Sequence, residues 1–262
     1  MDRALKTAAT GMYAQQLNVD AIANNLANVN TTSFKSTRVE FQDLMYQTIR
    51  ATGVPDQLGT YGTQELQIGD GTVPSSTTRN FSQGDLTPTQ NQLDFGIQGD
   101  GFFEIRMPDG TEAYTRDGSF KISSNGNLVT SNGNLVEPGI TIPENTTSLS
   151  VGPDGTVQAT VSGQTNPVTL GQLQLAKFIN PDGLQALGNN LYQETVTSGT
   201  PILGNANTTG FGTVQQGYLE ASNVSIVNQM VKMIEAERAY ELNSKAVQTA
   251  DSMMQIANNL VQ

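Results

Sequence analysis

The chain has 262 residues, enough for one or two domains with a sizeable core. It has no cysteine and no histidine, only 14% charged side chains, and a net charge of −11. That composition excludes a disulfide framework or thiolate metal site, removes the commonest general base, and sets the surface against phosphate backbones, so no nucleic-acid partner is expected. No stretch approaches the length of a membrane-spanning helix, so no membrane insertion is expected. The start, Met1-Asp2-Arg3-Ala4-Leu5-Lys6, has no apolar region behind its basic residues, so no cleavable secretory signal is expected either.

Helix breakers are segregated: all 10 prolines lie between Pro55 and Pro201, and 25 of the 26 glycines between Gly53 and Gly217. Both ends are therefore free to form long helices and the middle is not. From Leu5 to Val29 the apolar residues repeat every seven. Leu5, Met12, Val19 and Leu26 make one register, and Ala8, Gln15, Ile22 and Val29 the second. The pattern is a coiled-coil seam, with Gly11 and Gln15 as its blemishes. Asn24, Asn25 and Asn28 follow; asparagine terminates helices well, and amides at a helix end can fix register between packed subunits.

Residues 50–70 have no clean period and read as a long connector. Beyond it, Asp-Gly pairs at 70–71, 100–101, 109–110, 117–118, 154–155 and 182–183, with Asn-Gly pairs at 125–126 and 132–133, punctuate short strand candidates. These candidates are Phe102–Arg106, Glu112–Thr115, Ser119–Ile122, Asn127–Thr130, Asn134–Glu137, Ser148–Val151, Thr156–Ser162, Val168–Phe178 and Asn190–Thr195. The middle reads as an antiparallel β body. The last helix spans about residues 223–260, with Val224, Val227, Val231 and Ile234 on one stripe. Ala239, Leu242, Ala246, Thr249, Met253, Ile256 and Leu260 form a second stripe, with a bend or change of partner expected at the five-residue step between Ile234 and Ala239. The Ile-Ala-Asn-Asn-Leu of residues 22–26 recurs at 256–260. The fold class expected is α+β: terminal helices forming an α-helical coiled-coil layer, and a mainly antiparallel β central body.

Chemistry is sparse. Acids such as Asp94, Asp100, Asp109, Glu112 and Asp117 could supply a glycosidase-like pair, but most sit in turn dipeptides where local hydrogen bonding explains them. No catalytic, metal-binding or cofactor-binding residue is assigned, and no cofactor is expected. Two helical arms at the chain ends, with no third helix to complete a bundle, instead point to a polymer subunit whose arms are mobile alone and fold together on assembly.

The segment Ala23-Asn24-Asn25-Leu26-Ala27-Asn28-Val29-Asn30-Thr31-Thr32-Ser33-Phe34-Lys35 resembles the N-terminal signature of the bacterial flagellar rod and hook (axial) family, in which Asn24, Asn25, Asn28, Thr31, Phe34 and Lys35 are signature positions. That family usually has Gly where this chain has Ser33. Gln98–Phe103, Tyr114–Phe120 and Glu237–Lys245 resemble further family blocks. Tyr46–Arg50, the connector after it, Leu66–Gly69, Pro138–Pro143, Gly188–Thr195 and Gln216–Glu220 are similar to the distal-rod branch. The resemblance implies a helically polymerising subunit of a straight, hollow drive shaft. Residues 1–30 with 220–262 would be its inner helical layer, 31–85 with 196–219 a connecting β-rich region, and 86–195 an outward β domain. It implies self-association, contact with proximal rod proteins, the hook or its junction, the P and L rings and the rod cap, and passage through the flagellar type III export apparatus into a rod spanning the periplasm. Leu5, Met12, Val19, Ile22, Leu26, Val29, Val227, Val231, Ile234, Leu242, Ala246, Met253, Ile256 and Leu260 would form the assembly seam. Tyr46, Gln47, Arg50, Pro55 and Leu66 would belong to the segment that locks neighbours into a straight tube. The alternatives are a proximal rod or hook subunit of the same family or, in a different class, a secreted β-rich glycan-active enzyme.

Overall fold

The structure, a computed structural model, describes residues 2–50, 66–163 and 166–260. They fall into two compact units. One draws on segments 1–27, 37–79 and 225–262, the other on 28–36 and 80–224.

The first unit holds both helices, α1 (Asp2–Ala27) and α2 (Ile226–Leu260), and four strands. These are β1 (Thr37–Asp43), β2 (Tyr46–Arg50), β3 (Leu66–Gly69) and β4 (Thr72–Arg79). Helix α1 ends where Asn28 begins a turn, in keeping with asparagine's preference for helix ends. β1 pairs antiparallel with β4 from Thr37–Arg79 to Asp43–Thr72, with a bulge between Glu40 and Phe41. This ribbon packs on α1. The two meet closely at Gly71, which holds φ 111°, and a Cβ there would lie 2.2 Å from Thr10 Oγ1. β2 and β3 pair as a separate hairpin, and β3 lies inside the stretch 50–70 expected to be a connector. Residues 51–65, including Pro55, lie outside the described residues. α2 runs as one continuous helix through the five-residue step where a bend or change of partner was expected. No glycine or proline interrupts it, and at 3.6 residues per turn both apolar stripes stay on one side of a straight cylinder.

The second unit is the β body. Its strands are β5 (Leu86–Pro88), β6 (Phe95–Gln98), β7 (Phe102–Arg106), β8 (Glu112–Thr115), β9 (Lys121–Ile122), β10 (Leu128–Val129) and β11 (Leu135–Val136). They continue with β12 (Thr146–Val151), β13 (Thr156–Val161), β14 (Val168–Gln172), β15 (Gln174–Lys177), β16 (Gln185–Gly188) and β17 (Leu191–Gln193), then β18 (Ile202–Asn205), β19 (Thr213–Gln216) and β20 (Tyr218–Glu220). The main sheet runs β16-β17-β8-β7-β11-β10-β9, with β15 joining β7 to β18. A three-stranded sheet runs β12-β13-β14. The single strand expected over Val168–Phe178 is two strands, because β14 pairs with β13 and β15 with β7. Buried Leu173 marks the crossing from one sheet to the other.

Period-two alternation along β7 builds the core. Phe103 and Ile105 face a large cluster with Phe95, Ile97, Phe120 and Val136, and Phe102 faces a second with Tyr114, Phe178 and Tyr192. Rings in the second cluster meet edge-to-face, as Tyr114 and Phe178 do at 4.8 Å. Full burial of such side chains stabilises by about 1.5–3 kcal/mol each. Most Asp-Gly and Asn-Gly pairs hold glycine at positive φ, as the turn reading requires. Gly118 is different: a Cβ there would lie 1.8 Å from Phe95 O, so close backbone approach demands the glycine. By contrast, the buried apolar residues of the first unit are small or few: Ala8, Ala14, Ile22, Ala236 and Ala250 among the described residues.

Candidate functional site

Three features could carry function, and the helix pair is the first. α1 and α2 pack together through small and polar residues. On α2, buried Gln229, Ala236 and Ala250 stand at seven-residue spacing with half-buried Asn243 between them. On α1, Ala8, Ile22 and Asn25 are buried. Gly11, a blemish in the apolar repeat, is a point of contact: a Cβ there would lie 2.9 Å from Asn243 Nδ2. The α2 residues assigned to the assembly seam point elsewhere. Val227, Val231, Ile234, Leu242, Met253 and Ile256 are 46–70% exposed, and Ala246 is exposed too. At 3.6 residues per turn these seven occupy about 120° of arc, turned roughly 130° from the buried face. The side chain of Leu260 lies outside the described residues. On α1, Leu5, Met12, Val19 and Leu26 are half-buried, as is Val29 beyond it, and only Ile22 of that set is buried. The chain's own pairing thus uses alanine, glycine and amides, and leaves a broad apolar stripe on α2 in water.

The second feature is a buried ionic hub in the β unit. Lys35 and Glu220 have no exposed side-chain surface and pair at 2.5 Å. Lys35 Nζ also donates to Ser82 O at 2.8 Å, and Glu220 Oε1 accepts from Gly84 N at 2.8 Å. Arg116 approaches Glu220 at 3.4 Å, donates Nε to Gly101 O at 3.0 Å and Nη2 to Gly99 O, and stands over the Phe102 ring. Burial lowers the Lys35 ammonium pKa below its ordinary range, against the opposing pull of Glu220. Such a pair holds because both partners are hydrogen-bonded to backbone as well as to each other; removing one member strands the other.

Part of the signature segment, residues 28–35, lies in the same unit as this hub. Ser33 adopts φ 55°, the left-handed region that favours glycine. Its amide donates to Glu220 O at 2.7 Å and its hydroxyl to Arg116 O at 2.8 Å, which offsets the strain. Thr31 Oγ1 donates to Asn28 Oδ1 at 3.1 Å, and Asn190 Nδ2 donates to Thr32 O at 3.0 Å. Phe34, half-buried, accepts at its carbonyl from Asn223 N, while Asn223 Oδ1 takes Ser36 N. In the helical unit, Asn25 is bound to its own chain: Oδ1 accepts Thr37 N and Nδ2 donates to Thr37 O, both at 2.8 Å. A side-chain amide here stands in for a neighbouring strand at the start of β1, so this asparagine serves the subunit itself. Asn24 is exposed. Glu220, Arg116, Asn190 and Asn223 were missed as partners of the signature segment, since contacts 83 and 185 residues apart leave no local pattern.

The third feature is the β2–β3 hairpin. Tyr46, Gln47 and Leu66 are exposed, as are Met45, Ile49 and Ile68, so apolar side chains stand in water. Gln47 Nε2 donates to Asp70 Oδ2 at 2.9 Å, and the Arg50 backbone pairs with Leu66; the Arg50 side chain lies outside the described residues. Among the described residues no three acids come together as metal ligands, and no helix is long and apolar enough to cross a membrane.

Comparison with known proteins matches three stretches of the chain. Residues 5–35 match the family "Flagella basal body rod protein", 96–159 the "Flagellar hook protein FlgE/F/G D1 domain", and 215–260 the "Flagellar basal body rod FlgEFG protein C-terminal". The chain is 52% identical over 262 residues to the flagellar basal-body rod protein FlgG of Borreliella burgdorferi, covering 99% of each chain. It is 48% identical over 259 residues to the FlgG of Caulobacter vibrioides, covering 98% of this chain and 99% of the other. To the FlgG of Bacillus subtilis it is 39% identical over 265 residues, covering 99% of each.

Proposed function

The chain belongs to the FlgG-like family of flagellar basal-body rod proteins, and from that premise we propose that it builds the straight distal segment of the rod, a hollow helical shaft that transmits torque from motor to hook. It is a structural subunit, and it works by packing rather than catalysis. Residues 1–30 and 220–262 form the inner helical layer of the shaft, 31–85 and 196–219 the connecting region, and 86–195 the outer domain. Copies reach the periplasm through the type III export apparatus. The finished segment meets the proximal rod, the rod cap during growth, the hook junction, and the P and L rings around it.

The observation that carries this reading is the apolar stripe Val227, Val231, Ile234, Leu242, Met253 and Ile256, left in water by a helix already packed on α1. A stripe of that width needs a partner surface, and burying each such side chain contributes about 1.5–3 kcal/mol. In a helix that does not close, the partner is the next copy. Tag labelling of the chain in purified basal bodies, viewed by electron microscopy, tests the assignment. Label on the straight segment between the rings and the hook is expected. Label on the hook or the innermost rod would move the chain to the hook or proximal rod, and peptidoglycan cleavage by the purified protein would revive an enzymatic role.

A further inference from the structure

Both terminal helices turn their more apolar rows away from each other. The roll of α1 is fixed by the β1–β4 ribbon: Thr72 N donates to Thr10 Oγ1 at 3.4 Å, and Asn25 is bound to Thr37. Gly11 is then left against α2, and Gln15, Asn18 and Ile22 lie on the same face at helical spacing. The apolar row Leu5, Met12, Val19 and Leu26 stands about 80° further round. Just beyond α1, Ser33 N donates to Glu220 O at 2.7 Å, and just before α2, Asn223 N donates to Phe34 O at 3.3 Å. The end of α1 and the start of α2 are thus brought together, and the helices run antiparallel. Seven-residue steps from the contact of Gly11 with Asn243 bring Asn18 level with Ala236, and Asn25 level with Gln229. Ala236, Asn25 and Gln229 are buried, as this alignment requires.

This face is not the most apolar one that α2 offers. The stripe from Val227 to Ile256 lies about 130° round from it and stays in water. Gln229, 8% exposed, makes no hydrogen bond at Oε1 among the described residues, so the chosen face carries a cost. We infer that Gln15 and Asn18 are positioning residues: the amides they present turn α2 so that its polar face meets α1 and its stripe stays free. Against the stripe, both amides would lose water and gain only carbon neighbours. The levels they occupy on the polar face hold Ala236 and Asn243, one small and one an amide. A polar residue in a helix seam fixes alignment at the expense of strength. The inference deepens the polymer reading, since it explains why a chain does not cover its own stripe, but the choice of face belongs to a single chain.

The chain has no cysteine, so a disulfide can report the face. Ala8→Cys, one heptad before Gln15, is combined with Val247→Cys, half-buried on α2, or with Thr249→Cys, exposed within the arc of the stripe. Under mild oxidation the soluble parent is expected to bridge 8 to 247 and not 8 to 249. With Gln15→Leu and Asn18→Leu added, the bridge should move to 249, amide exchange of α2 should slow about tenfold, and polymer should be lost in sedimentation. A bridge that stays at 247 would overturn the inference. So would a loss of helical circular dichroism, because leucine at both positions has to strengthen the pairing. Asn18→Ser, small and still polar, should keep the bridge at 247; a move there would overturn the inference too, since bulk rather than polarity would set the face. A bridge that moves while polymer still forms would uphold the choice of face and overturn the part of the stripe in assembly.

Discussion

Lys35, Glu220 and Arg116 tie together segments of the β unit that lie far apart in the chain. Replacing Lys35 with Met leaves buried Glu220 with only the longer pairing to Arg116 at 3.4 Å, and replacing Glu220 with Gln strands the ammonium. Each change is expected to destabilise by about 3–5 kcal/mol, read as a lower urea midpoint by circular dichroism. The double replacement should cost much less than the sum, since the second removes a charge already without its partner. Ser33→Gly exchanges about 1 kcal/mol of relieved backbone strain for a lost hydrogen bond to Arg116 O of similar worth, so stability should move little, whereas Ser33→Val keeps the strain and loses the bond. Glu104, buried on β7 with Tyr114 opposite it, is held toward its protonated form. Burial first, then Glu112 and Glu137, raises its carboxyl pKa above the usual value, with Arg106 opposing. A raised folded pKa contributes stability below the unfolded value near 4.5, lost as pH climbs through the folded one. Glu104→Gln should therefore gain on the parent as pH rises from 4 to 7, seen in paired urea titrations; an equal difference at both ends would discount the group.

At the scale of elements, the helices divide their surfaces. α1 and α2 meet over alanine, glycine and amides, a thin buried surface for helices of 26 and 35 residues. Most helical stability comes from burying an apolar face, so α2 should exchange its amides quickly in dilute monomer and slowly once assembled. Leu242→Asp places a charge on the exposed stripe. It should leave the monomer's unfolding free energy from urea titration within about 0.5 kcal/mol of the parent while preventing polymer formation, measured by sedimentation. At Gly11 the neighbour is the end of the Asn243 side chain, which can turn aside. Gly11→Ala should thus be tolerated, its helix propensity gain of about 1 kcal/mol offsetting the crowding, while Gly11→Phe should separate the helices and lower α2 protection.

At the scale of the whole molecule, the sequence by itself determined the class. Segregated glycines and prolines, a seven-residue apolar repeat and regularly spaced turn dipeptides give two terminal helices around an antiparallel β body, because backbone preference and side-chain period are local properties. Phe102–Arg106 and Glu112–Thr115 are strands at their expected bounds for that reason. Strands such as β16 and β18–β20 are short, lack a clear alternation and were not legible. They exist because partners distant in sequence complete them, as Leu86–Pro88 completes β20. The stripe on α2 was legible as apolar, but its exposure was not, since a repeat does not state which of two faces the chain covers itself. Tertiary structure alone decided that Asn25 serves Thr37 and that Lys35 is neutralised by Glu220. Their side chains meet only after the backbone has folded, and a single sequence carries no trace of which distant charge a buried one will find.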